Sequence, residues 1–515
     1  MHLTMLLDMA VEGFGDRPVV GINATGLTAR ELRRHALAGA RLLQDRDADA
    51  LVYLATNGPA YPVALFAAAH AGLPLVPLNY RLGAAQLTEL LARHPRAVVI
   101  AEERVREHVE RTGLEQLSVQ EWLHLTASGS PQAPGAAARA DSETPDPAAD
   151  GAAAVVIYTS GTTSSPKGVL LRHQHLVSYV FGTVEFAAAS EDDVALICVP
   201  PYHIAAVANV ISNLFAGRRT VILGHFDAAD WLETVRTEQV TNALVVPTML
   251  ARIVSCDGDL SVTTLRTLAY GGAPMPRRVI EKALALWPEV GFVNAYGLTE
   301  TSSTVAVLGP EEHRRAIAST DPRVRARLTS VGRVIPAVEL RILDDTGNEV
   351  PPGTVGRICL RGDQVSAEYD GIGVAVDEQG FFDTRDKGYL DEDGFLFIGG
   401  RVDDTIIRGG ENIAPAEIEA VLLEDPAVLD VAVIGVPDDE WGQRIEAVMV
   451  PAPGCTVDPG ALRDFVRRRL RSSKTPDRVH VVPQLPRTET GKLIRRQVAA
   501  LIADAAAGSR TASGS

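Results

Sequence analysis

The chain has 515 residues, with 65 acidic against 49 basic side chains, a net charge of −16 and a pI near 5.3. One hydrophobic core rarely serves so long a chain, so more than one domain is expected, and 46% hydrophobic with 22% charged residues excludes disorder as the main state. The acidic balance argues against general nucleic-acid binding and against attachment to anionic membranes, both of which need clustered positive charge. Cys198, Cys256, Cys359 and Cys455 lie far apart without zinc-site spacing, which predicts reduced thiols.

Residues 1–8 read as a short amphipathic helix rather than a signal peptide, because Asp8 closes an apolar run that no basic segment precedes. Helical spacing over 27–43 is followed by a strand at 50–54. The apolar run 63–78 is broken by His70, Gly72, Pro74 and Pro77, so a buried helix, a turn and a short strand are expected there rather than a membrane span. A cytoplasmic location follows as the expectation. A helix at 84–93 and a strand at 97–101 continue the alternation, which predicts mainly parallel sheets covered by helices. Residues 126–153, rich in Ala, Pro, Gly, Ser and Asp, read as a long surface loop.

Towards the C-terminus, 380–400 reads as short strands and tight turns. Then come Ile406-Ile407, a Gly409-Gly410 turn and a helix opened by Pro415 that carries Ile418, Val421 and Leu422 on one face. A buried strand at 431–436, a basic amphipathic helix at 461–470 and a disordered tail at 505–515 complete the pattern. The division expected is a domain of residues 1–402 and a smaller one of 403–515.

Several segments carry chemistry. In YTSGTTSSPKGV, residues 158–169, glycines 161 and 168 let backbone N–H groups converge, hydroxyls add donors and Lys167 adds a positive charge. A polyphosphate needs such a set, although the order Lys-Gly is not that of a Walker loop; a flexible polar turn is the plain alternative. In 294–301, preceded by a strand at 291–293, Tyr296 beside Gly297 offers a stacking face and Glu300 an oxygen ligand for a magnesium-bound polyphosphate, or a solvated corner. The Gly271-Gly272-Ala273-Pro274 turn permits close ligand approach. Asp386 and Arg401 suit ribose hydroxyls or form a surface ion pair. Lys492 stands on a Gly-containing turn, 486–492.

In this order the segments resemble the adenylate-forming superfamily of acyl-CoA synthetases, carrier-loading adenylation domains and luciferases, from Leu27-Thr28 through Lys492. The resemblance implies an α/β fold: a large N-terminal region of two α/β subdomains plus a small β-barrel, with a mobile C-terminal α+β lid domain. It implies ATP, Mg²⁺ and coenzyme A as reactants. Thr159, Ser160, Gly161, Thr162, Thr163 and Lys167 would hold the β- and γ-phosphates. Gly271, Gly272 and Ala273 would line the adenine and acyl site, with Asn294 at the adenine amino group and Tyr296, next to Gly297, stacking on the ring. Thr299 would contact the α-phosphate, Glu300 would ligate Mg²⁺, and Asp386 and Arg401 would hold the ribose. Lys492 would bridge carboxylate and α-phosphate, Asp403 would be the hinge, and Gly409 and Gly410 would flank the pantetheine path.

Two positions depart from the family pattern: Ser164-Ser165 where a further Gly is common, and Arg385 where Gly usually precedes the aspartate. His203, Ile204, Ala205, Val246 and Gly271 are the candidate acyl-pocket residues. These are small or apolar, apart from His203, and no acidic residue stands ready for an α-amine, so an apolar fatty or aryl acid is the expected substrate. The implied activity is ATP-dependent acid–CoA ligation. Transfer to a carrier protein or an amine, and a silent nucleotide-binding protein, are the alternatives. A homodimer stays open.

Overall fold

Thr28 opens the first long helix, Ala29–Asp45: its hydroxyl accepts from the Glu31 amide at 3.2 Å, while the Glu31 carboxylate accepts from the Thr28 amide at 2.9 Å. Leu32, Ala36, Ala40 and Leu43 repeat at helical spacing and are buried. The computed structural model describes residues 1–22, 26–128, 152–159, 166–438, 440–488 and 491–502. The expected tail at 505–515 and most of the 126–153 loop lie outside them. Residues 126–128 belong instead to the helix Val119–Ser128, where buried Thr126 donates to the Trp122 carbonyl at 2.9 Å. Residues 4–14 form the first helix, and 60–71 with 75–77 form the expected buried helix and short strand.

Two large sheets organise the N-terminal domain. In the first, Asn242–Val245, Thr267–Gly271 and Gly291–Leu298 run parallel as successive neighbours, and Ser303–Leu308 returns antiparallel to the last of them. In the second, Leu51–Leu54 pairs in parallel with both Leu75–Pro77 and Val98–Ala101, and the hairpin of Ala153–Thr159 with Lys167–Arg172 continues the sheet. Helices Ala29–Asp45, Ala60–Ala71 and Ile204–Ala216 contribute to the largest core, together with residues of both sheets. Strands buried on both faces read as apolar runs, as at Leu51–Leu54 and Val98–Ala101.

A four-stranded antiparallel sheet follows: Glu339–Leu343, Gly356–Arg361, Phe382–Leu390 and Leu396–Arg401. It shares a core with Val305 and Ala306 of the first large sheet. The smaller C-terminal domain carries the sheet Val428–Asp438, Gly442–Pro451 and Arg478–Val481. Its first strand has period-two burial: Val431 and Val433 face one core with Ile418, Leu422 and Val466, while Ala432 and Ile434 face another with Leu485 and Val498. No described helix is long and apolar enough to cross a membrane.

Candidate active site

The strand expected at 291–293 runs on to Leu298, so Asn294, Tyr296 and Gly297 sit on the sheet rather than in a loop. The pairing with Ser303–Leu308 shifts register between Tyr296 and Gly297. A Cβ at Gly297 would lie 1.8 Å from the Ser303 carbonyl oxygen, so only glycine allows the backbones this close. Thr299–Thr301 then forms a single 3₁₀ turn that presents Glu300.

Tyr296 donates from its hydroxyl to Asp386 Oδ2 at 2.6 Å, and Arg401 Nη1 lies 3.4 Å from Oδ1 of the same carboxylate. The ladder places Asp386 directly opposite Arg401. Burial raises the Asp386 carboxyl above the usual range; Arg401, the Tyr296 hydroxyl and Lys492 pull the other way. Burial, then the Asp386 charge, raises the Tyr296 phenol well above its ordinary value, so it remains a donor. Glu300 Oε1 accepts from Tyr369 at 2.9 Å, and Lys167 Nζ stands 5.8 Å from the centre of the Tyr369 ring. Its pairing with Thr159 across the hairpin aims Lys167 from the second sheet towards the same region. Ser160, Gly161, Thr162, Thr163, Ser164 and Ser165 lie outside the described residues.

Gly271 ends its strand opposite Ala295, and Gly272 takes a positive φ of 80°. The position of a Gly272 Cβ would be 3.8 Å from Val246 Cγ1, which joins the glycine turn to the apolar candidates. Val246 precedes the helix Pro247–Ile253, and His203 precedes Ile204–Ala216, with Ile204 and Ala205 in that helix's first turn. Asn294 commits its Nδ2 to the Ser330 carbonyl at 3.0 Å.

Lys492 enters from the C-terminal domain. Lys492 keeps part of its side chain exposed, but the protein crowding its ammonium lowers its pKa, as does the Arg401 charge; Asp386, Asp404 and Glu300 oppose this. The imidazole of His203 is pushed down to about 4, first by burial and then by the Lys492 charge. The two domains therefore converge at Lys492, whose ammonium senses the charges of Asp386, Arg401 and Glu300 and acts on His203. Gly491 has a φ of 76°, and a Cβ on it would fall 2.7 Å from Thr248 Cγ2, so the lysine turn rests on the start of the helix Pro247–Ile253. Gly409 donates from its amide to the Trp441 carbonyl at 2.8 Å, a contact inside the C-terminal domain.

Arg385 adopts a left-handed φ of 62°, and its guanidinium binds Asp403. That contact, assisted by Arg401 and Lys167, lowers the Asp403 carboxyl below its usual range. The extra cation thus serves the Asp403 segment and leaves the Tyr296–Asp386–Arg401 set intact. Tyr369, Thr248 and Asp404 escaped the sequence reading. Tyr369 lies in a two-residue strand, Glu368–Tyr369, too short for periodicity to mark.

No group of three or more His, Cys, Asp or Glu among the described residues could hold a metal ion by itself. Glu300 with substrate phosphates fits the preference of Mg²⁺, which takes one or two carboxylates and keeps phosphate or water oxygens.

Residues 7–370 match the family model for the AMP-binding enzyme, and residues 417–492 match that for the AMP-binding enzyme C-terminal domain. The chain is 33% identical to fatty acid–[acyl-carrier-protein] ligase ScoC of Streptomyces coeruleorubidus, with 93% of this chain and 92% of that one covered. It is 35% identical to the feruloyl-CoA synthase of an Amycolatopsis species, covering 92% and 94%. The structure of o-succinylbenzoate CoA synthetase (MenE) from Bacillus subtilis, in complex with the acyl-adenylate intermediate OSB-AMP, superposes with a TM-score of 0.79 at 27% identity, covering 96% and 97%. With both family models matched in order, and Tyr296, Glu300, Asp386, Arg401 and Lys492 brought together by the fold, the chain belongs to the AMP-binding enzymes, the adenylate-forming superfamily.

Proposed function

We propose that the protein is an ATP-dependent acid–CoA ligase that activates an apolar carboxylic acid as its acyl-adenylate, releases pyrophosphate, and passes the acyl group to coenzyme A with release of AMP. The convergence of Lys492 with Asp386, Arg401, Glu300 and His203 carries this reading, because it brings a cation from the C-terminal domain to a cleft suited to a nucleotide.

Adenylation requires a carboxylate to attack a polyphosphate, so like-charge repulsion enters the barrier. Lys492 binds the substrate carboxylate and the α-phosphate together, lowering that repulsion and aligning the reacting atoms. Thr299 donates to the α-phosphate. Lys167, with Thr159 and the loop 160–163, holds the β- and γ-phosphates. Asp386 accepts from the ribose hydroxyls and Arg401 keeps its carboxylate oriented, while Tyr296 and Gly297 take the adenine face and Asn294 its amino group. Glu300, together with the substrate phosphates, would hold magnesium, which would supply charge neutralisation for the pyrophosphate leaving group. Residues 403–515 act as a lid turning about Asp403, which then offers Gly409 and Gly410 to the pantetheine arm while water stays excluded from the mixed anhydride.

Ile204, Ala205, Val246 and Gly271 form the acyl pocket. His203, with its pKa near 4, is neutral at physiological pH and offers no fixed charge to a second carboxylate or an amine; this favours an apolar monocarboxylic acid. A carrier-protein thiol is the second reading, favoured by the similarity to a fatty acid–[acyl-carrier-protein] ligase. Assays of acid-dependent ATP–pyrophosphate exchange across an acid panel, followed by CoA-dependent AMP release, test the proposal. Exchange without CoA turnover selects the carrier or amine, and no exchange with any acid refutes ligation.

A further inference from the structure

The helix Arg277–Leu286 belongs to the N-terminal domain and carries none of the motifs above. From its first turn Arg278 reaches the C-terminal domain, donating from Nη1 to the Val428 carbonyl at 3.1 Å and from Nη2 to the Leu429 carbonyl. Both carbonyls lie at the start of the strand Val428–Asp438. In the next residue, Asp430 accepts from Arg487 Nε at 2.9 Å and from Nη2 at 2.6 Å. Arg487 in turn donates from Nη1 to the Gly491 carbonyl at 2.6 Å. The Lys492 backbone is closed on the same turn, its amide donating to Thr488 Oγ1 at 3.0 Å and its carbonyl accepting from the Thr488 amide at 2.8 Å. A run of directional, charge-assisted contacts thus leads from a helix of the N-terminal domain to the lysine turn.

We propose that Arg278 is a positioning residue for adenylation: it latches the C-terminal domain in the orientation that places Lys492 over the cleft. This rests on the ligase reading and its rotating lid. A turn about Asp403 carries the Val428–Leu429 backbone away from Arg278, so the latch stabilises only one of two working positions and biases the equilibrium by its differential contact. Backbone carbonyls as acceptors make the latch independent of side-chain identity at 428 and 429, whereas its guanidinium fork is hard to replace: a lysine ammonium lacks the rigid, planar pair of nitrogens that meets the two oxygens here.

The test compares full-length wild type, R278A and R278K in the two half-reactions, exchange of ATP with pyrophosphate and thioester formation from synthetic acyl-adenylate. R278A is expected to slow exchange about tenfold, with kcat falling more than the ATP KM rises, and to leave transfer unchanged or faster; R278K is intermediate. Hydrogen–deuterium exchange of residues 428–433 and 485–495 is expected to quicken in R278A while the sheet at 291–298 is unchanged. Wild-type exchange rates in R278A, equal loss in both half-reactions, or unchanged deuterium uptake in those segments would overturn the latch. Absence of acid-dependent exchange in the wild type would instead overturn the ligase reading, and the deuterium measurement judges the latch independently of it. Should R278A fold poorly, R278K and its deuterium uptake decide the matter alone.

Discussion

Tyr296 and Asp386 come from different sheets and meet through a 2.6 Å hydrogen bond from phenol to carboxylate. Asp386 is only 7% exposed, so each donor it keeps offsets a desolvation cost. Tyr296→Phe removes one donor and is expected to destabilise the fold by about 1–3 kcal/mol, read as a fall in melting temperature. Asp386→Asn is expected to raise the ATP KM about tenfold or more in the exchange assay, with the KM for the acid little changed.

Lys492 is the single cation that the C-terminal domain is proposed to deliver to the reacting atoms. Lys492→Ala is expected to slow adenylation by about 10²–10³ and to leave thioester formation from supplied acyl-adenylate largely intact. Rapid-quench measurement of each half-reaction checks this; equal loss in both would contradict a lid with two working positions.

The lowered Lys492 pKa carries a pH signature. The ammonium is the working form, so kcat/KM for the acid is expected to fall as pH rises through a value below that of an ordinary lysine. Lys492→Arg, less active, should lose this alkaline limb because a guanidinium stays charged. A pH–rate profile of both proteins decides.

His203 titrates in the opposite window. Its folded pKa of about 4 lies below the ordinary value of 6.5, so the folded state prefers the neutral ring. The stability that follows is complete above about pH 6.5 and is lost progressively as pH falls towards 4. Thermal melts across this range should show the loss in wild type and a flatter profile in His203→Asn.

Gly410 has a φ of 82° and nothing within 4 Å of the position a Cβ would take. A side chain there meets no neighbour in this lid orientation, and its backbone strain is about 1–2 kcal/mol. Gly410→Leu is therefore expected to spare pyrophosphate exchange and to block CoA-dependent AMP release. Normal turnover with CoA would remove the reason for placing the pantetheine beside this turn.

Local chemistry was legible where it is short in range. Gly and Lys spacing marked residues 158–169 as a polyphosphate-binding segment, Pro415 marked its helix, and an apolar run marked the buried strand at 431–436. Tyr296, Glu300, Asp386, Arg401 and Lys492 were all legible from segments separated by long stretches of chain: Tyr296, Arg401 and Lys492 each adjoin a glycine, while Glu300 and Asp386 lie in short polar runs close to one of the patterned segments. Contacts that depend on tertiary placement left none. Tyr369 reaches Glu300 from a two-residue strand, Thr248 meets Gly491 from another domain, and Arg278 finds backbone carbonyls, which have no sequence identity at all. Arg385 stood out as a departure, yet its partner Asp403 became visible only when the two were brought together. The strand expected at 291–293 continues to Leu298, with a shift of register at Gly297 that a short apolar pattern does not reveal.

Attack of the acid's own oxygen on the α-phosphate can be followed atom by atom. With substrate acid labelled by ¹⁸O in its carboxylate, complete turnover with ATP and CoA should yield AMP carrying one ¹⁸O atom by mass spectrometry, since thiol attack leaves the bridging oxygen on phosphorus. AMP free of the label, or label found only in the pyrophosphate, would contradict an acyl-adenylate.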